Sequence, residues 1–281
     1  MAERSNRGRF KTVLAALLLS IGLASGLVAQ QSPPDVQIKT LPRRFVTDEW
    51  RIWSSPFRTS NYNSHTVRKY VVPFAILSAA LIATDRKTGD LLPNTTDQAV
   101  WSGRVSQFGA AYSLAGMAGA TLLVGQLGGN DHLKEAGLLG LEALGHTQIS
   151  VFAVKQFTNR QRPLDQDGKG SFWEGGNSFP SGHAAGAFSL ATVFAYEYSD
   201  HLAVPITAYS AATLISISRL GARRHWVSDI VVGGSLGFLI GRFTYKRNHS
   251  ARLPGSKVGE TDRLTPHVGV TGTALDLSWH W

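Results

Sequence analysis

Hydrophobic positions in the central part of the chain fall into six stretches rich in Ala, Leu, Val, Gly and Ser, separated by polar segments. Each stretch has the length and composition of a buried helix rather than of a strand. A polar, glycine-rich loop from Pro163 to Pro180 separates the third stretch from the fourth. The pattern predicts an all-α fold, a bundle of about six core helices. The stretches cover approximately 71–84, 106–127, 136–155, 183–198, 202–217 and 229–243.

The segments on either side of this core have different patterns. Residues 30–70 are rich in Pro, Ser, Asn, Arg and Trp without a sustained period, which predicts an extended, irregular N-terminal arm. Apolar and polar residues alternate from Leu275 to Trp281, and this period of two predicts a short C-terminal β-strand or hairpin. We therefore divide the chain into an N-terminal segment, an arm, a helical domain and a tail, at 1–29, 30–70, 71–247 and 248–281.

The first 29 residues have the pattern of an export signal. Four basic residues, between Arg4 and Lys11, precede an uncharged and largely apolar run from Thr12 to Ala29. This order predicts either a secretory signal peptide cut after Ala29 or an uncleaved anchor helix. In both cases we expect the rest of the protein to be exported, and to be periplasmic or membrane-associated.

The apolar stretches leave two relations to a membrane open. Only the stretch 106–127 approaches the ~20 apolar residues that a membrane span requires, and 71–84 is short. If the first segment delivers residue 30 to the outside and all six stretches span, the loop after the third lies in the cytoplasm. A spanning bundle would then place this polar loop inside, although the first segment predicts that the protein is exported. We therefore favour a soluble or peripherally attached domain, with an integral membrane bundle as the alternative.

The composition favours some classes of binding partner and excludes some kinds of site. The formal net charge of +9, from 28 Lys and Arg against 19 Asp and Glu, favours phosphate esters, acidic membrane surfaces or nucleic acid. No sequence motif supports nucleic-acid binding beyond the charge. The chain contains no cysteine, which excludes disulfides, thiolate metal sites and a cysteine nucleophile.

Two short clusters contain side chains suited to binding a phosphoryl group. Lys155 supplies a point charge and Arg162, seven residues later, a planar fork of donors that matches phosphate oxygens. In the second cluster, Ser181 can cap a helix, Gly182 allows a phosphate to approach the backbone, and His183 lies in the first turn. Taken singly, a pair like the first is usually part of a solvated face, and a sequence like the second is more often an ordinary capped helix.

A third cluster contains a candidate nucleophile. His225 and Asp229 are four residues apart, so on a helix they share one face and the carboxylate can orient the imidazole. The other ring nitrogen then faces outward as a nucleophile. Arg219, six residues before His225, could hold the same phosphate. An isolated pair of this kind is more often a surface pair.

The order of the three clusters resembles one family. The sequence reads KQFTNRQRP from Lys155, PSGH from Pro180 and SRLGARRHWVSD from Ser218. These segments match at every position the tripartite signature K-x6-R-P, P-S-G-H and S-R-x5-H-x3-D of the type 2 phosphatidic acid phosphatase and vanadium haloperoxidase superfamily. The resemblance covers roughly residues 70–243 and makes 71–247 the catalytic domain.

The resemblance implies a role for each matching residue. It implies that His225 attacks phosphorus, that Asp229 orients it, and that His183 protonates the leaving group and later activates water. The remaining matches would bind the phosphate; they are Lys155, Arg162, Ser181, Gly182 and Arg219. The resemblance implies no metal and no other cofactor, and vanadate would act as an inhibitor.

The resemblance also implies a phosphatase that forms a phosphohistidine and faces outside the cytoplasm. We expect phosphorylated lipids such as phosphatidic acid or polyprenyl phosphate as substrates, and a membrane surface as a partner. The alternatives are an exported acid phosphatase for soluble phosphoesters, and a vanadium haloperoxidase. Aromatic side chains could line the substrate entrance and two arginines could add charge at its mouth: Phe172, Trp173, Phe179, Arg223 and Arg224. The sequence does not predict an oligomeric state.

Overall fold

The computed structural model describes residues 41–58, 63–93, 95–164, 169–250, 266–271 and 274–279. Eight helices lie within these residues: α1 (Leu41–Ser54), α2 (Ser64–Leu91), α3 (Thr96–Ser106), α4 (Ala111–Gly128), α5 (Asp131–Thr158), α6 (Gly182–Glu197), α7 (Ala203–Gly221) and α8 (Val227–Ser250). The predicted all-helical bundle is confirmed. The predicted signal or anchor segment, 1–29, lies outside the described residues.

Helix α6 is the centre of the bundle, with α5, α7 and α8 packed around it. Nearly all of its side chains are buried, as expected for a helix that is apolar on every face. Leu190 and Phe194 pack with Leu114 of α4 and Leu144 of α5 in one core cluster. Ala187 and Ala191 pack with Ile215 of α7 in a second cluster.

Glycines let α8 approach α6 closely. Gly233, Gly237 and Gly241 recur every four residues and therefore share one face of α8. A β-carbon at Gly233 would lie 2.6 Å from the carbonyl oxygen of Ser181, and β-carbons at the other two would overlap backbone oxygens of α6. The backbones can touch only because these side chains are absent, and the contact brings the first turns of α6 and α8 together.

The N-terminal arm differs from the prediction, because Leu41–Ser54 is helical and α2 already begins at Ser64. Polar contacts hold α1 on the bundle: Arg44 Nη2 lies 2.6 Å from Glu142 Oε2, and the Phe45 ring stacks on His146 with centroids 4.1 Å apart. Trp50 of this helix is 72% exposed. Pro, Arg, Asp and Glu interrupt the apolar positions of this segment, and its helix was therefore missed.

Several helices are suited to a membrane. Among the described residues, α2, α5 and α8 are long and apolar enough to cross one, and α3 with α4, bent by 44° at their junction, would add a fourth if counted as one span. The apolar part of α2 is entirely unburied in the bundle. The first apolar stretch is thus the middle of a 28-residue helix. From the sequence we preferred a soluble or peripherally attached domain; these features favour membrane association over a soluble domain.

The C-terminal tail contains two strands, β1 (Pro266–Thr271) and β2 (Ala274–Trp279). They pair antiparallel, with Pro266 opposite Trp279 and Thr271 opposite Ala274. The segment for which a strand was predicted overlaps β2.

Candidate active site

All three sequence clusters lie at one end of the bundle, because successive core helices alternate in direction. Lys155 lies in the last turn of α5, His183 in the first turn of α6, Arg219 near the end of α7 and Asp229 in the first turn of α8. The backbone N–H of Ser181 donates to the carbonyl oxygen of Asp229 at 2.9 Å and joins the second cluster to the third. We call this the catalytic end, and the opposite one the distal end.

His225 lies beside Asp229 as the four-residue spacing predicts. Its Nδ1 is 3.4 Å from Asp229 Oδ2, a distance longer than an ordinary hydrogen bond. That oxygen already accepts from the Ser178 hydroxyl at 2.5 Å and from the Trp226 N–H at 2.9 Å. Because Nδ1 faces the carboxylate, Nε2 is the ring nitrogen left for chemistry. His225 is only 3% exposed, but it borders a cavity of about 180 Å³.

A buried arginine that the sequence analysis did not select holds Asp229 from the other side. Arg160 Nη1 donates to Asp229 Oδ1 at 2.7 Å, and its Nη2 donates to Asp85 Oδ2 at 2.7 Å. Ser228 donates to the same Asp85 carboxylate through both its N–H, at 3.1 Å, and its hydroxyl, at 2.5 Å. Phe172 covers the guanidinium 4.7 Å from its ring centroid. Asp229 is therefore fixed through both carboxylate oxygens.

The predicted phosphate-binding cations are held by neutral acceptors. Lys155 donates to the Asn177 and Ser178 carbonyls, and Arg162 Nε donates to the Asn177 side chain at 2.8 Å. Arg219 Nη1 donates to the Ser106 hydroxyl at the end of α3. The acceptors of Lys155 and Arg219 among the described residues are neutral, so they fix these two side chains without cancelling their charge. A cluster of three cations in a partly buried site favours an anion with several oxygens.

The first turn of α6 adds backbone donors to this cluster. Ser181 caps the helix, its hydroxyl accepting from the Ala184 N–H at 3.4 Å. Free N–H groups in the first turn and the positive end of the helix dipole favour an anion next to Gly182 and His183. His183 packs closely against Gly109, where a β-carbon would lie 3.3 Å from its Cδ2 atom.

Burial and the nearby cations keep both histidines neutral. Burial lowers the pKa of His225 to about 4, with Asp229 opposing the shift. Burial also lowers the pKa of His183 to about 3, and here the charges of Arg219, Lys155 and Arg162 add to the effect. The influence of these charges on His183 also shows that the three clusters share one electrostatic environment. A neutral His225 is the form that can act as a nucleophile.

Only some of the residues expected at the substrate entrance lie at the surface or beside the cavity. Trp173 is 72% exposed, whereas Phe172 packs edge-on against Phe179 as well as over Arg160, so it belongs to the support of Asp229. Arg223 borders the cavity next to His225, and its guanidinium is tied to the Gly89 and Leu92 carbonyls. Arg224 is exposed close to Arg219.

Sequence signals could have pointed to the residues that were missed. Asp85 directly follows the apolar run that begins at Val71, and a buried acid in such a helix needs a cationic partner. Arg160 lies within the first cluster, between Lys155 and Arg162. The sequence does not indicate that these two residues pair, because they are 75 positions apart.

Comparison with known proteins agrees with the family resemblance of the three clusters. Residues 136–252 match the family model described as PAP2 superfamily. Over 111 residues, 38% of this chain, the sequence is 41% identical to the lipid A 1-phosphatase of Porphyromonas gingivalis. Over 112 residues, 37% of this chain, it is 35% identical to phosphatidylglycerophosphatase B of Bacillus subtilis. The matches span 23% of the first relative's length and 54% of the second's.

A solved structure shows the same fold. The crystal structure of the transmembrane PAP2-type phosphatidylglycerolphosphate phosphatase from Bacillus subtilis superposes with a TM-score of 0.50 and 24% sequence identity. The superposition covers 65% of this chain and 95% of that one. The helical bundle is therefore an arrangement already observed in a transmembrane protein.

Proposed function

Because residues 136–252 match the family model of the PAP2 superfamily, we propose that this chain is a phosphatase that hydrolyses phosphate monoesters of lipids. The reaction passes through a phosphohistidine on His225 and needs no metal. The observation that carries the proposal is the meeting of a carboxylate-oriented histidine, a second histidine and three cations at one end of the bundle.

In the first step, Nε2 of His225 attacks phosphorus and the bond between phosphorus and the lipid oxygen breaks. The bonding electrons go to the leaving oxygen, which takes a proton from His183, whose ring is protonated once the substrate phosphate lies among the cations. His225 gains positive charge as the new bond forms, and the adjacent carboxylate of Asp229 stabilises that charge. Lys155, Arg162 and Arg219 stabilise the negative oxygens of the transferring group.

In the second step, water attacks the phosphohistidine. His183, now neutral, accepts the proton of the attacking water, and the bond between phosphorus and Nε2 breaks with its electrons returning to the His225 ring. Inorganic phosphate leaves and both histidines regain their starting protonation. The protein's own cations supply the charge stabilisation that a metal ion provides in other phosphoryl transfers.

Lipid substrates are favoured by the surface of the bundle and by its relatives. The apolar part of α2 is unburied, which suits a protein that meets its substrate within a bilayer. Both relatives are named for removing phosphate from lipids. We propose that the catalytic end faces outside the cytoplasm. If the N-terminal segment is a signal peptide or anchor that delivers residue 30 outside, this orientation requires the bundle to be exported whole; if the helices span a membrane, it requires residue 30 to stay inside.

The test is phosphate release by the full chain in detergent micelles with EDTA present. The substrates are phosphatidic acid, phosphatidylglycerophosphate and an aryl phosphate. We expect release from the lipids, a fall of roughly 10⁴-fold or more in kcat for His225→Ala, and little change for His65→Ala, which alters an exposed histidine at the start of α2.

The other outcomes separate the alternatives. Unchanged release by His225→Ala would contradict the assignment of the nucleophile. A higher kcat/KM for the aryl phosphate than for either lipid would show a soluble-substrate phosphatase with the same mechanism. Bromide oxidation that requires vanadate would identify a haloperoxidase.

A further inference from the structure

A second polar cluster lies at the distal end of the bundle. Glu135 in the first turns of α5, Glu197 at the end of α6 and His249 at the end of α8 each offer one ligand atom, and these atoms lie within 4.8 Å of one another. Twenty residues of α5 separate Glu135 from Lys155, which corresponds to roughly 30 Å along the helix. The cluster is therefore separate from the proposed phosphatase site.

The carboxylates of this cluster are buried to a degree that requires compensation. The side chains of Glu135 and Glu197 are each 1% exposed. Two imidazoles compensate in part: His249 Nδ1 lies 3.2 Å from Glu135 Oε1, and His132 Nδ1 lies 2.6 Å from Glu197 Oε1. A buried carboxylate is costly unless positive charge and hydrogen bonds satisfy its oxygens.

One oxygen of Glu197 remains without such a partner. Oε2 of this residue is buried and has no hydrogen bond among the described residues. The other oxygen accepts from His132, an arrangement in which an imidazole orients a carboxylate while leaving its second oxygen for a further ligand. An oxygen of this kind, beside a second carboxylate and an imidazole, suits a cation.

We propose that Glu135, Glu197 and His249 bind a divalent transition-metal ion of the Zn²⁺ or Mn²⁺ class. Two carboxylate oxygens and one imidazole nitrogen are a donor set that such ions accept. Ligand atoms about 2 Å from one ion lie about 3–4 Å apart, so side-chain rotations that shorten the longest separation by about 1 Å complete the site. His132 supports Glu197 from outside the coordination sphere.

An ion can reach the proposed metal site from solvent, and once bound it would link three helices. The His132 side chain is 43% exposed, which leaves a route from solvent to the buried carboxylates. Its three ligands come from three helices whose opposite ends carry Lys155, His183 and Asp229. A bound ion joins the distal ends of α5, α6 and α8, so it raises the unfolding temperature while leaving the catalytic groups untouched.

The experiment measures metal content and thermal unfolding of the full chain, purified in detergent through a tag without histidine and stripped with a chelator. We expect one Zn²⁺ per chain after dialysis against Zn²⁺, and an unfolding temperature several degrees higher with Zn²⁺ than without. Glu197→Gln lowers the Zn²⁺ affinity by at least about 100-fold, and His132→Gln, which keeps all three ligands, by about 10–100-fold. Asp200→Asn, an exposed acid at the same end, is the matched control.

Metal content separates this proposal from the phosphatase assignment, since it is read without any substrate. If the wild-type chain retains neither Zn²⁺ nor Mn²⁺, or if Glu197→Gln binds as much as wild type, the cluster consists of two buried His–Glu ion pairs and the proposal is overturned. The wild-type measurement gives this answer even if a variant does not fold.

Discussion

At the scale of single residues, His225 and His183 have opposite surroundings. His225 has Asp229 3.4 Å from its Nδ1, so developing positive charge on its ring is stabilised. His183 has the cations Arg219, Lys155 and Arg162 around it, so a proton on its ring is disfavoured until an anion arrives. This difference supports the proposed roles, nucleophilic attack for His225 and proton transfer for His183.

Replacing His183 is expected to trap the phosphorylated enzyme. In His183→Ala, an aryl phosphate with a good leaving group can still phosphorylate His225, but no base activates the water for the second step. We expect turnover to fall by about 10²–10⁴-fold and ³²P label to remain on the protein in an acid-labile, alkali-stable form. The double variant His183→Ala with His225→Ala should carry no label, and equal labelling of both would contradict a phosphohistidine on His225.

Anion binding is expected to change the protonation of His183. Its pKa of about 3 in the empty site reflects burial and the adjacent cations, and a dianion placed among those cations raises the pKa. At pH 6 the protein should therefore take up as much as about one proton per bound anion. Titration calorimetry with sulfate, in two buffers of different ionisation enthalpy, measures this uptake, because sulfate itself does not titrate near pH 6.

The variants locate the proton. His183→Ala should bind sulfate with little proton uptake, while His65→Ala should behave like wild type. Full uptake in His183→Ala would place the proton on another group and remove the basis for His183 as the acid.

Motif spacing was enough to identify the residues of the three clusters but not their support. Lys155, His183 and His225 are found from the sequence because each stands in a short pattern with its own chemical logic. The pairing of Arg160 with Asp85 depends on how α2 packs against the start of α8, and local sequence does not encode it. The residues that hold a site residue in place can be identified only from the tertiary structure.

At the scale of helices, the approach of α8 to α6 sets the position of the site. Asp229 is held to Ser181 by one backbone hydrogen bond at the point where the glycine face of α8 begins. A side chain on that face must push the helices apart, because protein interiors are close-packed and even one added methyl group displaces its neighbours.

A matched pair of Gly→Ala variants tests this packing. A β-carbon at Gly237 would overlap the Ala185 carbonyl, whereas at Gly119 of α4 it would meet nothing within 4 Å. We expect Gly237→Ala to lower the free energy of unfolding by about 1–3 kcal/mol and to reduce turnover, and Gly119→Ala to leave stability unchanged or raise it by as much as about 1 kcal/mol. Thermal unfolding in detergent checks both, and equal effects would show that α6 and α8 do not pack as described.

Helix boundaries were predicted best where the core is apolar on every side. The fourth stretch closely follows α6 and the fifth follows α7 to within four residues, whereas α8 continues seven residues beyond the sixth. The first stretch was predicted too short, since α2 extends beyond its apolar part in both directions, through Arg68 and Lys69 and through Arg86 and Lys87. Charged ends beyond an apolar centre are the expected form of a helix that crosses a membrane.

At the scale of the whole molecule, two sequence features oppose each other on orientation. If α2, α5 and α8 span, α2 and α5 run toward the catalytic end and α8 runs away from it, so Ser64 and His249 lie on the same side. An export signal that delivers residue 30 outside would place the catalytic end inside. Four basic residues within 15 positions of the start of α2 instead favour a cytoplasmic distal end: Arg51, Arg58, Arg68 and Lys69.

The absence of native cysteine makes this orientation directly measurable. Trp173→Cys places a thiol on an exposed part of the loop at the catalytic end, and Asp200→Cys places one in the exposed turn between α6 and α7 at the distal end. Since we propose an outward-facing active site, a membrane-impermeant maleimide should label Trp173→Cys in intact cells and Asp200→Cys only after permeabilisation. The reverse pattern would mean that the N-terminal segment translocates residue 30 and that the phosphatase acts on the cytoplasmic leaflet. Labelling of both in intact cells would mean that the bundle is exported whole and rests on the membrane without crossing it.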